Sequence, residues 1–160
     1  MKKLLYKFLI FTLLISCGSD DSIFLDYKNM TNGWEYDNPV EFSFDSPAEA
    51  VNISIMLRTD KSYPFSNIFI KSQIVSEDNQ IVDTIELDLK QEKRTLFSGN
   101  SLSLNNHSFI IAKNISFKKS KVTVKFNHAN RFLDSIDAVK NLDGILSVGL
   151  LVDNYQNEEL

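Results

Sequence analysis

The side chains that could do chemistry are few and scattered. The only cysteine, Cys17, lies within the stretch LLISCGSDD. The two histidines, His107 and His128, stand apart from each other and from it. A zinc site needs three or four Cys, His or carboxylate ligands at set spacings, and neither histidine has such a partner in sequence. No GxSxG nucleophile elbow occurs. The acids are dispersed, so the sequence marks no carboxylate pair for glycoside hydrolysis. Five glycines form no phosphate-cradling loop, and Asp78-Asn79 lacks the remaining ligands of a calcium loop. The expectation is a protein that is not an enzyme and needs neither cofactor nor metal.

Cys17 is different, because of what precedes it. Lys2, Lys3 and Lys7 make a positive start, Phe8 to Ile15 (FLIFTLLI) is apolar apart from Thr12, and a small residue, Ser16, follows. That is the layout of a secretory signal peptide. Its apolar run is too short to span a bilayer, which takes ~20 residues. Leu14-Ile15-Ser16-Cys17 also resembles the bacterial lipobox. The resemblance implies diacylglycerol on the Cys17 thiol, cleavage before it and acylation of the new amine. Each buried CH₂ contributes about 0.8 kcal/mol, and two or more acyl chains hold a protein stably on a membrane. A lipid-capped thiol forms no disulfide, so the domain must fold without one.

The expected organisation is therefore a signal peptide over residues 1–16, a flexible tether over 17–23, one domain over 24–154 and a polar tail over 155–160. Gly18, not an aspartate, follows Cys17, which favours the outer membrane over inner-membrane retention. Only two acids, Asp20 and Asp21, follow, so the periplasmic face is favoured over the cell surface.

Cleavage would remove three lysines and move the net charge from −4 to −7. An acidic surface disfavours nucleic acid, which needs a basic footprint. It also leaves the membrane contact to the acyl chains. Twelve Phe and five Tyr supply aromatic mass for a β core.

The hydropathy pattern is mostly of period two. Apolar and polar residues alternate over Val40–Phe44, Val51–Leu57, Ile81–Leu89 and Val122–Phe126, and Leu146, Val148, Leu150 and Val152 form one more row. Such runs are half-buried strands. Ile68-Phe69-Ile70 is apolar on both faces, which predicts a central strand. Turn signals at Asn32-Gly33, Ser46-Pro47, Asp60-Lys61-Ser62, Glu77-Asp78-Asn79, Gly99-Asn100 and Asn105-Asn106 separate the runs. The fold class is all-β, an antiparallel β-sandwich of Ig-like or jelly-roll-like kind, with a β-barrel as the alternative. At most one short helix is expected near 134–142, capped by Asp134 or Ser135 and ending near Gly144.

Surface contacts are the remaining source of function. In Arg58 to Asn67, Tyr63 and Phe65 flank a proline between two strands, and such loops on a rigid scaffold often carry contacts. The competing reading is that both rings cap the core while Arg58 and Asn67 satisfy the turn. Trp34 beside the turn at Gly33, and His128 with Arg131 at the end of a strand, are further candidates for partner contact. For Trp34 the alternative is a ring covering a sheet edge, and for His128 a histidine hydrogen-bonded at a strand-to-loop junction.

The order of these features resembles the gliding-motility lipoprotein family GldH. The matching elements are the lipobox cysteine, Phe24-Leu25-Asp26-Tyr27, Asn32-Gly33-Trp34, Val40-Glu41-Phe42, the Tyr63-Pro64-Phe65-Ser66-Asn67 core, Asn127-His128-Ala129, Leu142-Asp143-Gly144-Ile145 and Val148-Gly149. The resemblance implies an outer-membrane lipoprotein acting as a non-catalytic accessory or assembly component of gliding and of the linked type IX secretion machinery. Its partners would be other envelope proteins of that apparatus. The alternative from the residues is a surface lipoprotein that binds glycans through Trp34, Tyr63 and Phe65.

Overall fold

The computed structural model describes residues 22–90, 104–118, 121–132 and 135–155. Cys17, the remainder of the tether before Ser22, and residues 156–160 lie outside them. The described chain forms β1 (Ser22–Asn29), β2 (Trp34–Glu35), β3 (Val40–Asp45), β4 (Val51–Thr59) and β5 (Asn67–Val75). Then come β6 (Gln80–Asp88), β7 (Asn105–Ile115), β8 (Lys121–His128), β9 (Asn141–Leu142) and β10 (Ile145–Asn154). β1 thus begins at Ser22, so Ser22 and Ile23 of the expected tether already belong to the domain.

Two four-stranded antiparallel sheets, in the orders β1-β10-β4-β7 and β3-β8-β5-β6, enclose one core, and β2 pairs with β9 beside them. This is the expected all-β sandwich, and β5 is an interior strand, as its two-sided apolarity requires. From the first sheet Ile53, Ile55, Leu57, Val148, Leu150 and Val152 point inward; from the second come Ile68, Ile70, Ile74, Val122, Val124 and Phe126. Full burial of each contributes ~1.5–3 kcal/mol. Phe24 of the edge strand β1 reaches across to Phe44 of β3, ring centres 5.6 Å apart.

One expectation needs correction. The inward row of β10 does not start at Leu146. The register shifts between Ile145 and Ser147, which turns Ile145 fully inward and leaves Leu146 half-buried. Of the at most one short helix expected near 134–142, the described residues 135–142 form none, and Asp134 lies outside the described residues. Ala138 makes a β-bridge with Arg131, the Val139 N–H donates to the Asn130 carbonyl at 2.8 Å, and Asn141-Leu142 pair with Trp34-Glu35. These long-range bonds take the backbone groups that a helical turn would use.

The two outer faces differ in chemistry. On the β3-β8-β5-β6 sheet, Glu41 stands opposite Lys125, Asp45 opposite Lys121, and Lys71 and Glu86 are exposed. On the other sheet, cross-strand registry aligns Leu25, Leu151, Ser54 and Ile110 in one row. Tyr27, Gly149, Met56 and Ser108 form the next. Neither row holds a charge.

Candidate functional site

The connection from β4 to β5 is folded by its own polar groups. Asp60 Oδ1 accepts from the Ser62 N–H at 2.8 Å and from the Ser62 hydroxyl at 2.6 Å. The hydroxyl, then the N–H, holds the Asp60 carboxyl below its ordinary pKa. The Asp60 N–H donates to the Gly144 carbonyl at 2.9 Å. Gly144 has φ +80°, and a Cβ there would lie 2.2 Å from the Tyr63 nitrogen. The β9–β10 turn can therefore approach this loop only as glycine.

Tyr63 is anchored at its tip. Its hydroxyl donates to the Asn67 carbonyl at 2.8 Å, and burial pushes its pKa well above the ordinary tyrosine value. Its ring meets Phe65 edge-on at 5.7 Å, and Phe65 meets Phe132 at 5.8 Å. Phe132 is 59% exposed and follows the exposed Arg131. Asn130, 2% exposed, ties this second loop to the sandwich: its Oδ1 accepts from the Phe69 N–H at 2.8 Å. The result is an aromatic run at one end of the molecule, part core and part surface. Beside it lies a hollow of about 340 Å³ lined by Asp60, Tyr63, Phe65, Lys90, Asn105 and His107. His107 Nε2 lies 3.3 Å from the Thr59 hydroxyl, and its ring stacks on Phe109.

The expected contact residues separate into three groups. Tyr63, Phe65, Asn67 and Arg131 share this end; Asn67 donates its amide to the Glu86 carboxylate. Arg58 instead points outward from β4, its Nε donating to Asn106 Oδ1 at 3.0 Å. Trp34 and His128 lie inside the fold, at 0% and 1% exposed, away from any surface a partner could touch. Trp34 donates its indole N–H to the Asn38 carbonyl at 3.1 Å. The His128 ring sits edge-on between Trp34 and Tyr36, 5.6 Å from each. Burial pulls the His128 pKa down to about 4, against a smaller opposing pull from the Trp34 backbone. Asn130 and Phe132 were not foreseen; a polar residue and an aromatic straddling the candidate Arg131 were the available signal.

Among the described residues no three His, Cys, Asp or Glu side chains converge as a metal site. No helix among them is long and apolar enough to cross a membrane. What the arrangement offers is a graded aromatic cluster, part core and part surface, with the exposed Arg131 beside it and the sandwich beneath.

Comparison with known proteins adds a family. The GldH lipoprotein family matches residues 22–152, which takes in every strand but the last two residues of β10. The gliding motility lipoprotein GldH of Flavobacterium johnsoniae is 28% identical over 146 residues, covering 88% of this chain and 89% of that protein. The gliding motility lipoprotein GldH homolog of Christiangramia forsetii is 23% identical over 152 residues, covering 92% and 94%.

Proposed function

The chain belongs to the GldH lipoprotein family, and from that membership we propose that it is a lipid-anchored envelope component of gliding motility. Acyl chains on Cys17 hold it to the outer membrane, on the periplasmic face. Its role is non-catalytic: it positions or assembles other envelope proteins of the motility apparatus and of the linked type IX secretion machinery. The observation that carries this reading is the extent of the family match, which runs through both sheets and includes the aromatic end formed by Tyr63 and Phe65. The glycan-binding alternative loses one of its three rings, because the Trp34 indole is closed to solvent.

The test is a deletion strain complemented with the wild-type gene. Spreading and secretion should fail together and return together. A strain that spreads and secretes normally would sink the proposal. Loss of spreading with intact secretion would remove the secretion link alone.

A further inference from the structure

The first sheet shows solvent a face that a free-standing domain has no reason to keep apolar. Ile23 is 38% exposed, Leu25 49%, Tyr27 38% and Ile110 57%, and Met56 and Leu151 lie half-buried between them. Registry sets Leu25 beside Leu151, with Ile110 beyond Ser54 in the same row and Met56 beyond Gly149 in the row of Tyr27, while Ile23 lies at the irregular start of β1. Tyr27 even lies over the bare backbone of Gly149, which closes the gap between β1 and Met56. The opposite sheet meets water with charges of both signs, whereas the two central rows of this face hold none.

The chain itself indicates what the oily face meets. The face begins at Ile23, on the edge strand nearest Cys17. The five residues from Cys17 to Ser22 can span ~18 Å at most. A lipidated Cys17 therefore keeps β1 close to the bilayer surface. An apolar sheet face with a tyrosine among its exposed side chains suits the headgroup boundary, where amphipathic rings are favoured.

Resting on the lipid-anchor reading above, we propose that the outer face of the β1-β10-β4-β7 sheet lies against the membrane surface. Ile23, Leu25, Tyr27, Met56, Ile110 and Leu151 dip into the interface, and the charged sheet faces the aqueous compartment. The lipid chains and the sheet then act together, one anchoring and the other orienting.

Cys17 is the only native cysteine and is blocked by lipid, so one introduced thiol can be labelled uniquely. Leu25→Cys, Ile110→Cys and, as a control on the charged sheet, Val82→Cys (51% exposed) would each carry an environment-sensitive fluorophore. The full lipidated protein would be reconstituted in phosphatidylethanolamine/phosphatidylglycerol vesicles and titrated with iodide. Labels at 25 and 110 should be quenched several-fold less than the label at 82, and emit at shorter wavelength. Equal quenching at all three positions, in protein that floats with the vesicles, overturns the proposal while leaving the anchor intact. Shielding that fades as protein is diluted over more lipid assigns the face to a second copy and overturns it too. Shielding that needs added envelope protein does the same in favour of a protein partner. Protein that fails to float overturns the anchor reading, and this proposal with it.

Discussion

Tyr27 and Gly149 fit each other as ring and gap: a Cβ built on Gly149 would lie 2.5 Å from Tyr27 Cδ1 and 2.6 Å from Cε1. They are register partners in the β1–β10 ladder. Gly149→Ala should force the ring aside and cost about 1 kcal/mol, the order expected for overpacking. In a Tyr27→Ala background only the Asp26 carbonyl oxygen, 3.1 Å from the added methyl, still crowds it, and the cost should shrink. Urea unfolding of the four proteins of that cycle measures the coupling. An equal cost in both backgrounds would mean that the ring is not what the glycine accommodates.

His128 makes stability depend on pH. Its folded pKa, about 4, lies below the ordinary value of 6.5, so the fold favours the neutral ring. The stability this gives is complete above pH 6.5 and is lost as pH falls toward 4, because there the unfolded chain binds the proton and the folded one does not. Between pH 7 and pH 5 the loss should be ~2 kcal/mol. The sole tryptophan, Trp34, lies against the ring and reports the transition by fluorescence. His128→Leu should flatten the curve over that window; an unchanged slope would assign the effect to other groups.

Asn130 is buried and holds two loops to β5. Asn130→Ala leaves the Phe69 N–H without its acceptor, at a cost of about 1–3 kcal/mol. Amide exchange should quicken at Phe69 and at Val139, whose N–H donates to the Asn130 carbonyl. Exchange that stays slow at both would show that the side chain is dispensable to that junction.

Phe132 is a surface residue in structural terms. Phe132→Ser should cost about 1 kcal/mol or less, because the ring is mostly exposed and gives up one contact, with Phe65. If the aromatic end is a contact surface, the same substitution should reduce spreading when it replaces the wild-type gene. A fully motile strain would take Phe132 out of the contact surface.

Cys17→Ser removes the thiol that would take the lipid. The variant should remain uncleaved or become soluble, and its acyl modification should disappear from the mass spectrum. A variant still cut before residue 17 and retained on membranes after carbonate washing would contradict the lipid anchor.

Strict alternation made β3, β4, β6, β8 and most of β10 legible, because each presents one face to the core and one to water. β7 was not, since its register with β4 shifts between Val51 and Ile53 and again between Ile53 and Ser54, and a shift breaks the period. β1 carries apolar residues on both faces, Phe24 inward and Leu25 outward, so its pattern does not say which side is buried. The 135–142 stretch has helix signals, yet bonds to Arg131, Asn130 and Trp34-Glu35 decide its shape. The contact candidates divide for a related reason. Tyr63 and Phe65 are positioned by nearby residues of one loop, which a sequence window can see. Trp34 is buried by His128, which no local pattern could announce.

The direction of β1 has a mechanical consequence. The described chain enters at Ser22, and the strand runs toward Asn29, at the end of the sheet where Arg58, Thr59 and the aromatic cluster lie. A pull between Ser22 and that far end would act along the strand, while the β1–β10 hydrogen bonds lie across it. Load is then shared by the whole ladder in shear, so β1 cannot be peeled from β10 one pair at a time. A domain wired this way resists tension best along the line that joins Ser22 to its aromatic end.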